Sequence, residues 1–102
     1  MVRRFRGDTV PMVWQLSING EPHDLSTVAR VTFTYIKSDE TVVYIDGSII
    51  DAANGTVRFD VAESDFDTPG GYKFDLQVDY VDGTKRTFEK DIIKIDDDVN
   101  KL

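Results

Sequence analysis

The sequence predicts an all-β fold, an antiparallel β-sandwich of seven to eight strands. Three observations carry this prediction. Apolar and polar residues alternate with a period of two along several short segments, which is the periodicity of a strand with one solvent-facing side. Turn residues separate these segments about every 8 to 12 residues. A single sheet built from a chain of 102 residues would leave one apolar face exposed, so a second sheet must cover it.

The alternating segments supply most of the predicted strands. In chain order they are residues 12–18, 31–35, 57–61 and 72–80, with two shorter strands within 41–50. The clearest runs from Tyr72 to Tyr80, where five apolar residues alternate with four polar ones. A helix would scatter these residues around its axis, so the pattern indicates a strand with its apolar side facing the core.

The turns between the strands are marked by Asn, Asp and Gly. Asn19-Gly20 ends the first strand, Asp46-Gly47 separates the two short ones, and a hairpin loop over residues 51–55 leads into the next. Asp82-Gly83 follows the clearest strand and can adopt the two positive φ angles of a type I′ turn. We therefore predict a hairpin with a type I′ turn at this pair.

The last strand requires an irregularity. Phe88 has the opposite parity from Ile93 and Ile95, so one regular strand cannot place all three on the core face. We predict a bulge near residues 89–91, or a change of sheet there. The one candidate for a helical turn lies within residues 62–67, so the predicted helix content is close to nil.

Composition favours a small binding or structural module over an enzyme. We expect one domain, residues 1–102, with 40% hydrophobic and 30% charged residues. The absence of cysteine excludes disulfides, thiolate metal sites and cysteine nucleophiles, and the one histidine, His23, is interpreted as a surface-loop residue. We predict no catalytic, cofactor-binding or metal-binding residues. The sequence has no run of about 18 apolar residues, and its start lacks the apolar core of a signal peptide, so we expect neither a transmembrane helix nor a secretory leader.

Charge is distributed unevenly along the chain. The net charge is −7, but residues 1–20 carry +2 and residues 21–80 carry −8. An acidic body repels phosphate backbones, so nucleic-acid binding is disfavoured. We expect residues 1–6 to form an N-terminal arm or edge strand and residues 96–102 a short acidic tail. The arginines of the arm suit carboxylates on a partner protein, and a solvated arm is the alternative.

Two short motifs match functional patterns only in part. Arg6-Gly7-Asp8 matches the integrin-recognition tripeptide, but its position between the first two strands favours a turn. Glu63, Asp65 and Asp67 have the alternate spacing of a calcium loop without its glycine and terminal glutamate. A solvated acidic loop is the preferred interpretation, and calcium stays open.

The aromatic residues provide an alternative function. Stacking on a sugar would require several of them on one outer sheet face, the candidates being Trp14, Tyr35, Tyr44, Tyr72 and Tyr80. Most share the parity of aliphatic neighbours, which predicts the core instead. Because Tyr44 and Tyr80 are the two expected to reach the surface, a carbohydrate- or host-receptor-binding module remains the alternative.

The turn motifs also form a pattern in their order and spacing. In chain order they are Phe5-Arg6-Gly7-Asp8-Thr9, Asn19-Gly20, Pro22-His23-Asp24-Leu25, residues 47–57, Pro69-Gly70-Gly71-Tyr72 and Asp82-Gly83-Thr84. This layout resembles the N-terminal domains of siphophage baseplate upper proteins. The resemblance covers nearly the whole chain, from Arg3 to Asp97.

The resemblance implies an immunoglobulin-like sandwich with a structural role in the virion. Such a protein sits in the tail tip or baseplate of a phage or prophage of a Gram-positive bacterium and is assembled in the host cytoplasm. In longer relatives a helical linker and a receptor-binding attachment region follow, so we expect either a stand-alone version or a protein that continues past Leu102.

The same resemblance implies non-enzymatic docking onto the tail core by protein–protein contacts. The implied partners are other phage tail or baseplate proteins, with no cofactor, nucleic acid or membrane, and a homo-oligomer within the virion is left open. The candidate docking arm is Arg3, Arg4, Phe5 and Arg6, followed by a family-like turn at Gly7, Asp8 and Thr9. Strand addition at a sheet edge is the competing docking route.

Overall fold

The computed structural model describes residues 2–5, 9–37, 39–62, 65–66 and 70–96. Within these residues the chain forms ten strands and no helix, so the all-β prediction is confirmed. In the same part of the chain, no helix is long and apolar enough to cross a membrane.

The strands form two main sheets and a small hairpin. Their bounds are β1 (Val2–Phe5), β2 (Met12–Gln15), β3 (Ser17–Ile18), β4 (Glu21–Pro22), β5 (Val28–Ile36), β6 (Val42–Asp46), β7 (Ser48–Asp51), β8 (Thr56–Phe59), β9 (Gly70–Tyr80) and β10 (Lys85–Asp96). One sheet has the order β1-β10-β9-β5-β6, the second β2-β8-β7, and β3 pairs with β4 alone. The orders β10-β9-β5-β6 and β2-β8-β7 are those of the G-F-C-C′ and B-E-D strands in a variable-type immunoglobulin sandwich.

Two details differ from the predicted seven to eight antiparallel strands. The count is higher because the first alternating segment is divided into β2 and β3, and because the short strands β1 and β4 also join ladders. The pairing of β1 with β10 is parallel, whereas all other pairs are antiparallel. A parallel neighbour requires a long connection between the two strands, and β1 and β10 lie at opposite ends of the described chain.

The core lies between the two main sheets, where the predicted alternation places it. Phe33 of β5 is fully buried, stacks on Phe74 of β9 with 4.9 Å between ring centroids, and contacts Phe59 of β8 at 5.8 Å. The other buried apolar residues are Met12, Leu16, Leu25, Val31, Tyr35, Val57, Val61, Phe66, Tyr72, Leu76 and Val78. Trp14 packs half-buried against this cluster, at 5.9 Å from Phe74. Contacts among aromatic rings therefore join the two sheets.

The type I′ turn occurs at a different hairpin from the predicted one. Asn19 and Gly20 have φ angles of 53° and 81°, and they join β3 to β4 in a two-residue hairpin. At Asp82-Gly83 the predicted hairpin is present, but only Gly83 has a positive φ, 91°. There Gly83 N–H donates to the Tyr80 carbonyl and Tyr80 N–H to the Thr84 carbonyl. These bonds define a three-residue loop with a type I turn and a glycine bulge, so the predicted turn type was wrong.

Gly47 lies where the chain passes from β6 in one sheet to β7 in the other. A Cβ atom at this position would lie 2.5 Å from the Phe59 ring and 2.7 Å from Val31. The backbone thus approaches the core more closely than a side chain would allow. The two short strands predicted around Asp46-Gly47 are present and belong to different sheets.

The irregularity predicted for the last strand is present slightly earlier than expected. The register of β10 against β9 shifts between Thr87 and Glu89, which places the bulge at Phe88.

In the predicted helical stretch, the described atoms show a single turn in which Asp65 N–H donates to the Ala62 carbonyl.

Candidate docking surface

The predicted docking arm is an edge strand of the five-stranded sheet. β1 pairs on one side with the end of β10, and its register places Arg3 beside Lys94 and Arg4 beside Ile95. Arg3, Arg4 and Phe5 are therefore held by a strand ladder. Of the remaining predicted residues, Thr9 is exposed, while Arg6, Gly7 and Asp8 lie outside the described residues.

Arg4 connects the edge strand to the chain that follows it. Its side chain is half-buried, and Nη2 donates to the Val10 carbonyl at 2.7 Å. This bond links β1 to the segment that leads into the second sheet. Arg4 thus helps to position the strand, in addition to any contact that it makes with a partner.

The electrostatics of this edge contrast with those of the acidic body. The register of β1 places two basic residues, Arg3 and Lys94, side by side, with Asp96 two residues further along β10, opposite Phe5. In the body, Arg30 Nε lies 3.6 Å from Asp79 Oδ2, and Arg58 Nε lies 2.9 Å from Asp60 Oδ1. These two cations therefore have acidic neighbours. Like charges in adjacent positions repel each other, so the register brings two mutually repelling residues together at this edge.

The opposite edge of the same sheet carries an apolar surface that the sequence pattern does not predict. Ile36 is 41%, Val42 44% and Tyr44 70% exposed, and we call these three residues the outer apolar patch. Ile36 of β5 is directly opposite Val42 of β6. A groove of about 420 Å³ adjoins the patch and is lined by Ile36, Lys37, Glu40, Val42, Gly71 and Lys73.

The alternation of the sequence does not reveal this patch. Val42, Val43, Tyr44 and Ile45 are apolar in both parities. Only the structure shows that Val43 and Ile45 pack against the core, leaving the other two exposed. The expectation that Tyr44 reaches the surface agrees with its exposure.

His23 has a structural contact. Its Nε2 is hydrogen-bonded to the Tyr80 hydroxyl at 2.8 Å, and its ring lies 5.4 Å from that of Phe88. The side chain is half-buried and connects the loop before β5 to the β9–β10 hairpin. Tyr80, expected at the surface, is also half-buried by this contact.

The acidic loop that suggested calcium uses its described carboxylate internally. Asp65 Oδ2 accepts the Ala62 N–H at 2.7 Å, and the Tyr35 hydroxyl donates to the Asp65 carbonyl at 2.7 Å. Glu63, Asp67 and the acidic tail beyond Asp96 lie outside the described residues. Within the part of the chain that the structure describes, no three His, Asp or Glu side chains form a group that could hold a metal ion.

Three exposed aspartates cap turns around the sandwich. Hydrogen bonds from the Thr84 hydroxyl and backbone lower the pKa of Asp82. Those from Thr41 lower the pKa of Asp39, and those from Ser26 lower the pKa of Asp24. Each carboxylate accepts hydrogen bonds from donors two residues further along the chain. These bonds stabilise the charged form of the aspartate without a bound ligand.

Comparison with known protein families matches residues 7–98 to the BppU N-terminal domain. The match covers most of the chain, from the predicted turn after the arm to the end of β10 and just beyond. None of the curated proteins matches the chain.

Proposed function

The chain belongs to the BppU N-terminal domain family of phage baseplate upper proteins, and on this basis we propose that it docks onto the tail core as a non-enzymatic structural protein. The family places the protein in the virion tail or baseplate, in association with other phage structural proteins. We propose in addition that it assembles in the cytoplasm of the bacterial host, without nucleic-acid or membrane partners. A homo-oligomer within the virion is compatible with this role.

The register of β1 is the observation that supports docking through the N-terminal edge. This register holds Arg3 beside Lys94 at the rim of the five-stranded sheet. The body between residues 21 and 80 has a net charge of −8, whereas in the paired segments of this edge the bases Arg3, Arg4 and Lys94 outnumber the one acid, Asp96. An acidic surface on a tail-tip protein would neutralise the adjacent cations and orient the domain.

Carbohydrate or host-receptor binding is the less favoured function. Sugar stacking needs two or more exposed aromatic rings on one face. Among the described side chains, Tyr44 is the one aromatic residue that is largely exposed, while Trp14 and Tyr80 are half-buried. The described surface therefore offers less support for a sugar platform than for a docking edge.

Charge reversal of the edge tests the proposed docking. We expect the double variant Arg3→Glu/Arg6→Glu to lose co-assembly with the tail-tip proteins of the same phage, with binding weakened about tenfold or more. Arg4 is left intact because its bond to the Val10 carbonyl supports the strand. Binding is measured by co-purification and by titration at two salt concentrations, since the contact should weaken as salt screens it.

The matched control reverses two cations at the other end of β10. Lys85→Glu/Arg86→Glu gives the same net charge, and both side chains are exposed. This control should bind like the wild type. If the arm variant binds as well as the control does, the β1 edge is not the docking surface.

A further inference from the structure

Among the residues that the structure describes, the outer edge of β6 is the least protected of the four edges of the main sheets. β1 contains two arginines, β2 is short and follows Pro11, and β7 is interrupted by a register shift between Ile49 and Asp51. Charges, proline and bulges are the features that prevent strands from pairing at an edge. β6 has five residues, an uninterrupted register against β5, and a single charge at its end.

The two sides of β6 are suited to a neighbouring strand. Val43 and Ile45 are half-buried against the core, so an added strand would extend that core. On the opposite face of the sheet, the added strand would cover part of the outer apolar patch. The backbone groups on the free edge would form the hydrogen bonds of the new ladder, as in other cases of strand addition.

We propose that the strand added to β6 is β6 of a second copy, antiparallel and centred on Tyr44. In this register Tyr44 is opposite Tyr44 of the second copy, and Val43 is opposite Ile45. The two identical edges therefore bring apolar residues together on both sides of the ladder. Such a pairing has two-fold symmetry and closes after two copies.

Charge complementarity supports a second copy as the occupant. The same register places Asp46 of one copy opposite Val42 of the other, and Val42 lines a groove in which two cations, Lys37 and Lys73, outnumber one anion, Glu40. These two lysines are half of the basic residues between positions 21 and 80. The two Asp46 residues lie at opposite ends of the ladder, so like charges do not meet. The proposal goes beyond docking to the tail core and does not depend on it.

Cysteine cross-linking tests the proposed register directly, because the natural sequence contains no cysteine. In the full chain, Tyr44→Cys should form a disulfide dimer under mild oxidation. Opposed residues in an antiparallel pair have Cα atoms about 4.5 to 5.5 Å apart, which is within the range of a disulfide. Val42→Cys is the matched control, because its equivalent would lie four residues away, at about 13 Å. A mixture of Val42→Cys and Asp46→Cys should cross-link as a heterodimer.

Sedimentation provides a second measurement that does not rely on cysteine. At millimolar concentration the mass of the wild type should rise from 11.6 kDa towards twice that value. Val42→Lys should abolish this rise, whereas Val81→Lys, at a residue that is 71% exposed in another hairpin, should not. Circular dichroism checks that each variant is folded.

Either of two results would overturn the proposal. One is a wild type that stays monomeric, with Tyr44→Cys cross-linking no faster than Val42→Cys, which would leave β6 to a strand of a different protein. The other is equal cross-linking of all three single-cysteine variants, which would show association without this register.

Discussion

Glu40 occupies a backbone conformation that is better suited to glycine. Its φ is 69°, and its N–H donates to the Lys37 carbonyl, while Lys37 N–H donates to the Thr41 carbonyl. The β9–β10 hairpin has the same arrangement, with Gly83 at the corresponding position. An L-residue in the left-handed region costs about 1 to 2 kcal/mol, because Cβ approaches the following carbonyl.

Exchanging these two residue types tests the cost of the conformation. Glu40→Gly should stabilise the protein by about 0.5 to 1 kcal/mol, since the relief of strain exceeds the added flexibility of the unfolded chain. Gly83→Ala, the opposite change in the equivalent position, should destabilise it by about 1 kcal/mol. Urea unfolding measures both free energies. A loss of stability in Glu40→Gly would contradict this account.

At the scale of the hairpin, an aspartate and the threonine two residues later form a pH-sensitive unit. The Thr84 hydroxyl donates to Asp82 at 2.6 Å and the Thr84 N–H at 2.9 Å. These bonds lower the folded-state pKa of Asp82 from its ordinary value of 3.8. The bonds thus contribute stability that is present above pH 3.8 and is lost as the pH falls through the lowered pKa.

A titration of this carboxylate separates the contribution of the hydroxyl. In Thr84→Val, which keeps the backbone donor, the pKa of Asp82 should rise towards 3.8, as measured by the NMR shift of the carboxyl carbon. The pKa of Asp39 in the β5–β6 hairpin depends on Thr41 and should not change. Equal titration midpoints for Asp82 in the two proteins would show that the hydroxyl does not hold the charge.

The elements also show which features local sequence can determine. The alternation from Tyr72 to Tyr80 predicted both the strand and its buried side. Successive side chains of a strand lie on opposite faces, so the polar residues occupy one face and the apolar residues the other. The Asp82-Gly83 pair predicted the hairpin correctly and its turn type wrongly. That type depends on loop length, which the pairing of Tyr80 with Thr84 decides.

The candidate docking surface was only partly predictable for a similar reason. The arm could be recognised from its arginines. Its parallel pairing with β10 brings together two segments that are far apart in sequence, and no local sequence pattern predicts such a contact. The patch on β6 could not be placed, because residues 42–45 are apolar in both parities. In both cases the position of the element in the sheet determines which residues are exposed.

Considered as a whole, the molecule has one sheet with two different edges. β1 is basic and β6 is apolar, and they lie at opposite ends of the order β1-β10-β9-β5-β6. Three strands, β10, β9 and β5, therefore separate the proposed docking contact on β1 from the proposed contact between copies on β6. Because the two surfaces do not overlap, one copy could bind the tail core and a second copy at the same time.

This arrangement depends on a core that holds the two sheets together without disulfides. Phe33 is central to it, since its ring contacts Phe74 in its own sheet and Phe59 in the other, and it is fully buried. Removing the ring in Phe33→Ala should cost about 3 to 5 kcal/mol, through lost burial and the cavity that remains. A small domain is stable by only about 5 to 15 kcal/mol, so the variant should lose a large part of its free energy of unfolding. Urea unfolding measures the loss, and Val81→Ala, at an exposed position, should stay within about 0.5 kcal/mol of the wild type. Similar small losses in both variants would show that the two sheets do not depend on this ring for their contact.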